Sequence, residues 1–338
     1  MEPFSSLFLV GNFQEHHVGF HFECAARNIQ IPFSSFDISQ ARSNISMLNK
    51  LAWHFRDKTY WAQKDFQKKL IESAKVIRPS HLLVLGTSAV CKETLVALQK
   101  LSIVTINFLT DDPWNTNHSS NWFNESLSHY NVLLTPRIAN LNQLKEFSKT
   151  KVDYLPFAYN PEVHFEESDI SELEKRELAS DIIFFGGADS DRIPLIHKLI
   201  RHGFQINLFG GYWNQDKLTR PFSRGIVPVK TLRKAVKASK ICLNLVRRAN
   251  RDGHVMRTFE VPAMGGCLLT EKTEEHLAIF GENTVKMFET EKDLIQKIET
   301  LLSSPDLRKQ TTLEGRKKIL SSHNTYVDRL QSIMRIAP

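Results

Sequence analysis

Residues 182–211 read IIFFGGADSDRIPLIHKLIRHGFQINLFGG. The run IIFF has no polar residue to turn toward water, so a strand made of it must be covered on both faces. Gly186-Gly187 ends the run, and the amphipathic stretch 192–202 predicts a helix. A second apolar run, 206–209, then ends in Gly210-Gly211. Strand, glycine turn, helix, strand is the signature of a parallel sheet with helices across it. The same pattern continues outward. Downstream lie the runs 241–245 and 267–270, the second preceded by a helical stretch 257–264 and Gly265-Gly266. Upstream, 7–10 runs into Gly11 and a helical stretch ending near Asn28. Residues 61–77 lead to 82–85, Gly86 and a helix over 89–100. The run 103–109 then ends in Thr110-Asp111-Asp112-Pro113-Trp114. From Glu289 onward the pattern predicts three helices and no strand.

The expected fold class is therefore α/β, built as two Rossmann-like doubly wound halves facing a central cleft. Ligands are expected at the carboxyl ends of the strands. The alternation lapses between Pro156 and Ser180, where Pro161, the acidic Glu166, Glu167 and Asp169, and a charge-rich 172–177 read as a connector. The domains expected are 1–160, a connector 161–180, a second half 181–320, and a final helix 321–338 that packs back across the junction toward the first half.

With 338 residues, 41% of them hydrophobic and 24% charged, the chain is neither disordered, collagen-like nor coiled coil, and has ample core for two domains. Cys24, Cys91, Cys242 and Cys267 form no C-x-x-C pair, and each lies in an apolar run. They are expected to be buried free thiols in a reducing compartment, with no zinc site and no disulfide framework. No apolar run approaches the roughly 18 residues of a membrane span. The first 13 residues lack the basic start of a signal peptide. A cytoplasmic protein is expected.

The glycines after strands suit backbone amides approaching an anion at a helix N-terminus. Neither Gly11 nor Gly186 opens G-x-G-x-x-G, and no P-loop is present, which speaks against a dinucleotide oxidoreductase or a P-loop NTPase. The segment 252–275, DGHVMRTFEVPAMGGCLLTEKTEE, carries the most chemistry. Glu260 stands among Phe259, Val261 and Met264, and a carboxylate in such company costs several kcal/mol unless paired. Two readings are open. Arg257, one turn earlier, forms an ion pair with it, or Glu260 accepts hydrogen bonds from the hydroxyls of a ribose.

The run RTFEVPAMGGCLLT (257–270) resembles the C-terminal hallmark of the CgeB-type glycosyltransferases (spore maturation protein CgeB and its relatives). Other pieces follow in order along nearly the whole chain: 84–110 ending in Asp-Asp-Pro-Trp, FAYNPEVHF (157–165), IIFFGGADSDR (182–192), ICLNL (241–245) and HNTYVDRL (323–330). The resemblance implies the GT-B fold. It also implies transfer of a sugar from a nucleotide-diphosphate donor, with a uridine diphosphate sugar as the default, held by the second half.

On that resemblance Glu260 matches the acidic residue that holds the donor ribose in many GT-B enzymes. Asp252 gives D-x7-E where many retaining relatives carry E-x7-E, a side chain one methylene shorter. His254 and Arg257 are implied near the diphosphate; a solvated turn at Asp252-Gly253 is the plain alternative. Gly186, Gly187, Ser190 and Arg192 are implied on the donor phosphates, Gly210 and Gly211 beside the base, and Gly265 and Gly266 in the donor segment. The catalytic base is expected from the first half: His16 or His17 past the glycine turn, or Asp111 or Asp112 at a strand end. Each of these has a structural alternative, as a surface pair or a loop brace. Asp189-Ser190-Asp191 opens a helix rather than ending a strand at the cleft, so no metal and no other cofactor is expected.

Formal charge is +7, from 44 Lys and Arg against 37 Asp and Glu. Residues 217–251 hold eleven of the basic residues and no acidic one. That block reads as a solvated helix face, as attraction for donor phosphates, or as a contact for nucleic acid or a membrane surface. The function classes carried forward are glycosyl transfer to an unidentified hydroxyl, nucleic-acid binding or modification, and hydrolysis or epimerisation of a nucleotide sugar.

Overall fold

The computed structural model describes residues 4–86, 89–115, 119–147 and 150–337. Two compact units divide the chain. The first comprises Met1–Pro156, Ala249–Arg251 and Tyr326–Pro338; the second comprises Phe157–Arg248 and Asp252–Thr325.

In the first unit the elements run β1 (Leu7–Gly11), α1 (Val18–Asn28), β2 (Phe33–Asp37), α2 (Ser46–Phe55), α3 (Gln63–Ile77), β3 (His81–Leu85) and α4 (Lys92–Gln99). They continue as β4 (Val104–Phe108), α5 (Asn121–Leu127), β5 (Val132–Thr135), α6 (Ile138–Phe147) and β6 (Lys151–Tyr154). All six strands are parallel, in the order β2-β1-β3-β4-β5-β6. Strands β1, β3, β4 and β5 are buried along their whole length, as continuous apolar runs require. Phe8, Val10, Leu82, Val84 and Leu133 pack against Phe66 and Leu70 of α3 and Leu95 and Leu98 of α4.

The second unit runs α7 (Glu172–Leu178), β7 (Ile182–Phe185), α8 (Arg192–Arg201), β8 (Ile206–Phe209), β9 (Ser223–Gly225), α9 (Val229–Ala238), β10 (Ile241–Asn244) and α10 (Arg257–Ala263). Then follow β11 (Leu268–Glu271), α11 (Glu274–Phe280), β12 (Lys286–Phe288), α12 (Glu291–Ser303) and α13 (Pro305–Leu320). Its parallel sheet has the order β12-β11-β10-β7-β8-β9. Counted within the unit this is 3-2-1-4-5-6 read from the β9 edge, the doubly wound Rossmann order. The last helix, α14 (Tyr326–Ile336), belongs to the first unit. There Tyr326 stacks on His21 and meets Phe22 of α1 edge-on.

The stretch expected as a connector does not stand apart. From Phe157 onward it belongs to the second unit and covers α9. Glu167 pairs with Arg233 at 2.8 Å, Glu174 with Lys234, and Glu166 with Lys237 at 3.4 Å. Phe165 lies under the Arg233 guanidinium, 3.9 Å from ring centroid to carbon. The acidic run and the basic helix face are each other's counter-charge, which no local pattern shows. Cys24, Cys242 and Cys267 are buried and in no disulfide among the described residues, but Cys91 is only half-buried, because it caps α4 at the end of a strand loop rather than lying inside the sheet.

Gly266 sits where a side chain has no room. A Cβ there would lie 2.8 Å from Cys242 Sγ and from Val261 Cγ1 and 3.0 Å from Val236 Cγ1. Gly266→Val is expected to destabilise the second unit by about 1–3 kcal/mol through overpacking. A fall in Tm and in the urea midpoint checks this, and an unchanged midpoint contradicts it.

Candidate active site

In each sheet the strand order reverses at one point, and loops leaving the two strands there diverge to opposite faces. In the second unit that point lies between β7 and β10. It gathers the 186–191 turn, residues 245–248 and 252–256, and the start of α10.

The 186–191 turn is built from backbone and one buried arginine. Gly210 adopts φ +138° and passes so close to the 186–187 peptide that a Cβ would fall 2.3 Å from Gly186 O. Trp213, fully buried, donates its indole N–H to Gly186 O at 2.7 Å and packs edge-on against Phe184. Tyr212 is exposed. The Arg192 guanidinium turns inward, donating to Gly187 O at 3.1 Å and Leu245 O at 3.2 Å above the Phe184 ring. Burial pulls its pKa below the ordinary arginine value. Arg192 thus braces the turn from within. Asp189 Oδ1 accepts from the N–H groups of Asp191 and Arg192, and Oδ2 faces Arg192 and Arg247, each at 3.4 Å. Ser190 is exposed at the helix start, and Gly187 and Gly211 are open enough to admit a side chain.

Helix α10 carries Glu260 one turn in, fully buried. Arg257, on the same face, pairs with its Oε2 and lies over the Phe185 ring at 5.9 Å. His164 Nε2 stands 3.6 Å from Oε1. Because His164 Nδ1 accepts the Asn160 N–H at 3.1 Å, the ring hydrogen sits on Nε2, facing the carboxylate. Glu260 thus has two cationic or donor neighbours, yet neither oxygen accepts a hydrogen bond of good geometry among the described residues. His164 was missed as a site residue; its only signal is its place in the 157–165 segment.

Two parts of the donor segment have structural partners. His254 is fully buried; its Nε2 accepts the Phe157 N–H at 3.0 Å and its Nδ1 faces Glu275, so both ring nitrogens serve the fold. Gly265, at φ +77°, follows the end of α10 and lies against Glu166, and Gly266 is a packing glycine. Asp252 is half-buried, with Oδ1 accepting its neighbour Gly253 N–H at 2.6 Å.

Behind α10 lies a buried polar network. Asn244 donates to Thr258 at 3.3 Å and to Thr270 at 3.1 Å. Thr258 in turn bonds His276 Nε2 at 2.9 Å, and His276 Nδ1 donates to Glu271 O at 2.8 Å. Beside Glu271 lies an open cleft of about 90 Å³ lined by Arg192, Leu245, Arg248, Glu271, Phe288 and Thr290.

In the first unit the strand order reverses between β1 and β3. His16 and His17 follow β1, half-buried and exposed respectively, with His17 at the N-terminus of α1 and His16 3.8 Å from Glu15. Asp111 and Asp112 follow β4. Asp112 is buried: Oδ1 accepts the Trp114 N–H at 2.9 Å, Oδ2 pairs with Arg251, and its own N–H reaches Asn250 Oδ1. Asp111 accepts from Asn250 and Thr110. Both aspartates hold the 249–251 segment, which sequence reading did not connect with them across about 140 residues.

The basic block 217–251 is largely neutralised. Arg233, Lys234, Lys237, Lys240, Arg247 and Arg251 are each in an ion pair, leaving five of the eleven. No described helix is long and apolar enough to cross a membrane.

The sequence model of a family described as glycosyl transferase-like matches residues 192–335. No curated protein matches the chain. Among solved structures, it is similar over 98% of both chains to sucrose-phosphate synthase from Thermosynechococcus elongatus, at 10% identity and TM-score 0.73. A glycosyltransferase from Rickettsia africae aligns over 99% of this chain and 98% of its own, at 11% identity and TM-score 0.67. HepE of Anabaena in complex with UDP and glucose aligns over 98% of both, at 11% identity and TM-score 0.62. The architecture is GT-B.

Two predictions follow from this geometry. Burial, with the nearby His254, lowers His276 from 6.5 to about 4. Between those values the unfolded chain holds the extra proton, so stability is full above pH 6.5 and falls by about 3 kcal/mol as pH drops toward 4. Urea midpoints against pH, with a shallower slope for His276→Gln, check this. For the basic block, five unpaired cations limit the log–log salt slope for non-specific duplex DNA to roughly −4.5. A slope near −10 in filter binding would show that the ion pairs open for a polyanion.

Proposed function

We propose that the chain is a glycosyltransferase of CgeB type that moves a sugar from a nucleotide-diphosphate donor, a UDP-sugar by preference, to a hydroxyl acceptor. The donor is assigned to the second unit. Glu260 carries this reading. A fully buried carboxylate with charge partners but no well-formed hydrogen bond has acceptor capacity left over, and two ribose hydroxyls supply donors for it. The family match over 192–335, and the UDP and glucose in the HepE structure, support the same donor class.

Transfer needs charge neutralisation on the departing diphosphate and removal of the acceptor proton. For the first, we assign Arg257 and the exposed Arg248. Arg192 and His254 serve as braces behind them. For the second we assign His17, exposed at the strand-order reversal of the first unit. Asp112, held by Arg251 and the Trp114 amide, is a positioning residue. Donor binding is expected without a divalent ion, because both Asp189 oxygens are engaged at the α8 start.

UDP or a UDP-sugar should raise the melting temperature of the native chain, undiminished by EDTA. Glu260→Gln and Glu260→Ala should weaken donor affinity at least about tenfold in a chain that still folds cooperatively, with a lower melting temperature because Arg257 and His164 lose their buried partner. Unchanged affinity for every nucleotide sugar overturns the ribose role. His17→Ala should lower turnover about 10²-fold or more with donor affinity intact. Nucleotide release at the same rate with and without any acceptor would assign hydrolysis or epimerisation instead of transfer.

A further inference from the structure

Helix α2 breaks the rule that the other helices of the first unit keep. Its only buried residue is Ala52, while Met47 is 65%, Leu51 42% and Phe55 81% exposed. These three are spaced four apart and so form one stripe along the helix. Ile45, just before the helix, and Trp61, just after it, are also exposed. A stripe of large apolar side chains left this exposed marks a contact surface.

The charge around the stripe indicates what it meets. Lys50 and His54 run along its edge, and exposed Arg42 and Arg56 flank the helix, while Lys58 turns to donate to Ser119 O at 2.7 Å; Asp57 is the only acidic residue from 38 to 62. Asp57 is itself occupied, accepting the Asn121 N–H at 2.8 Å. The start of α3 adds exposed Lys64, Lys68 and Lys69. Residues 38–78 hold nine Lys or Arg against three Asp or Glu, while the rest of 1–150 holds six against nine. The basic character of the first unit is concentrated on this segment. Unlike the 217–251 block, it is not covered by an acidic run.

An apolar stripe edged with cations, bounded by a tryptophan, has the composition of a helix lying in the plane of a bilayer. The side chains enter the acyl boundary and the cations meet anionic headgroups. A protein partner or a second copy would have to be both apolar and acidic at one place; an anionic bilayer is so everywhere. We propose that α2 docks this protein on an anionic phospholipid membrane. This placement is independent of the donor chemistry, since no residue of the stripe belongs to the candidate active site.

The test is flotation of the full-length chain with phosphatidylcholine vesicles, with and without phosphatidylserine. The expected result is recovery with the anionic vesicles only, diminishing with salt. Lys50→Glu with Arg56→Glu should lower binding at least about tenfold, and Met47→Ser with Leu51→Ser and Phe55→Ser should abolish it. Both variants should keep the parent melting temperature and UDP-sugar binding. Absence of binding to anionic vesicles, or equal binding of the parent and the triple serine variant, overturns the proposal. So does a parent dimer that the serine variant converts to monomer, since the stripe would then be a self-interface.

Discussion

Glu260 is the constraint around which the second unit is arranged. A carboxylate taken wholly out of water needs opposite charge and hydrogen-bond donors, and stripping away a partner costs about 3–5 kcal/mol. Arg257 answers from one turn back on α10, and His164 from a segment almost a hundred residues earlier. For His164 to arrive with its Nε2 hydrogen, the Asn160 amide must occupy Nδ1. For that loop to hold, Phe157 is tied to His254 and Tyr159 to Asn324. One buried charge thus bears on several turns of the backbone. It also accounts for the buried network of Asn244, Thr258, Thr270 and His276, which fixes the helix that presents it.

Charge elsewhere in the chain is organised by the same economy. The eleven basic residues of 217–251 look like a binding field when read as a line. In three dimensions the acidic run 166–174 lies on α9, and what remains is a modest excess. Phe165 under Arg233 shows how tightly the two fit, because a guanidinium stacks at 3.9 Å only when its hydration has been given up. The cations around α2 are less dense in sequence, and among the described residues no acidic run lies over them.

The strands, glycine turns and order of elements were legible because burial on both faces leaves an unbroken apolar run, a local property. So was Glu260, since an acid among Phe259, Val261 and Met264 needs explaining wherever it is met. What was illegible depends on distant partners. Nothing near Arg192 shows that it turns inward to Gly187 and Leu245, and nothing near Asp112 announces Arg251. The glycines divide for the same reason. Gly210 is demanded by its approach to Gly186, and Gly266 by Cys242 and Val261, whereas Gly211 has open space around it. A Gly-Gly pair in sequence gives no hint of which glycine answers to packing.

Sequence identity near 10% to structures of the same architecture fits this division. The shared quantity is the polarity of a parallel sheet, whose strand ends point amides and helix starts to one side and whose order reversal opens a gap there. That fixes where a ligand lies and leaves the side chains at liberty. Within the gap a residue is a candidate for chemistry only when the fold has not already used its polar atoms. His254 and Asp112 are at the right strand ends and are fully engaged. Glu260, at the same kind of position, keeps acceptor capacity, and it is this remainder rather than the location that singles it out.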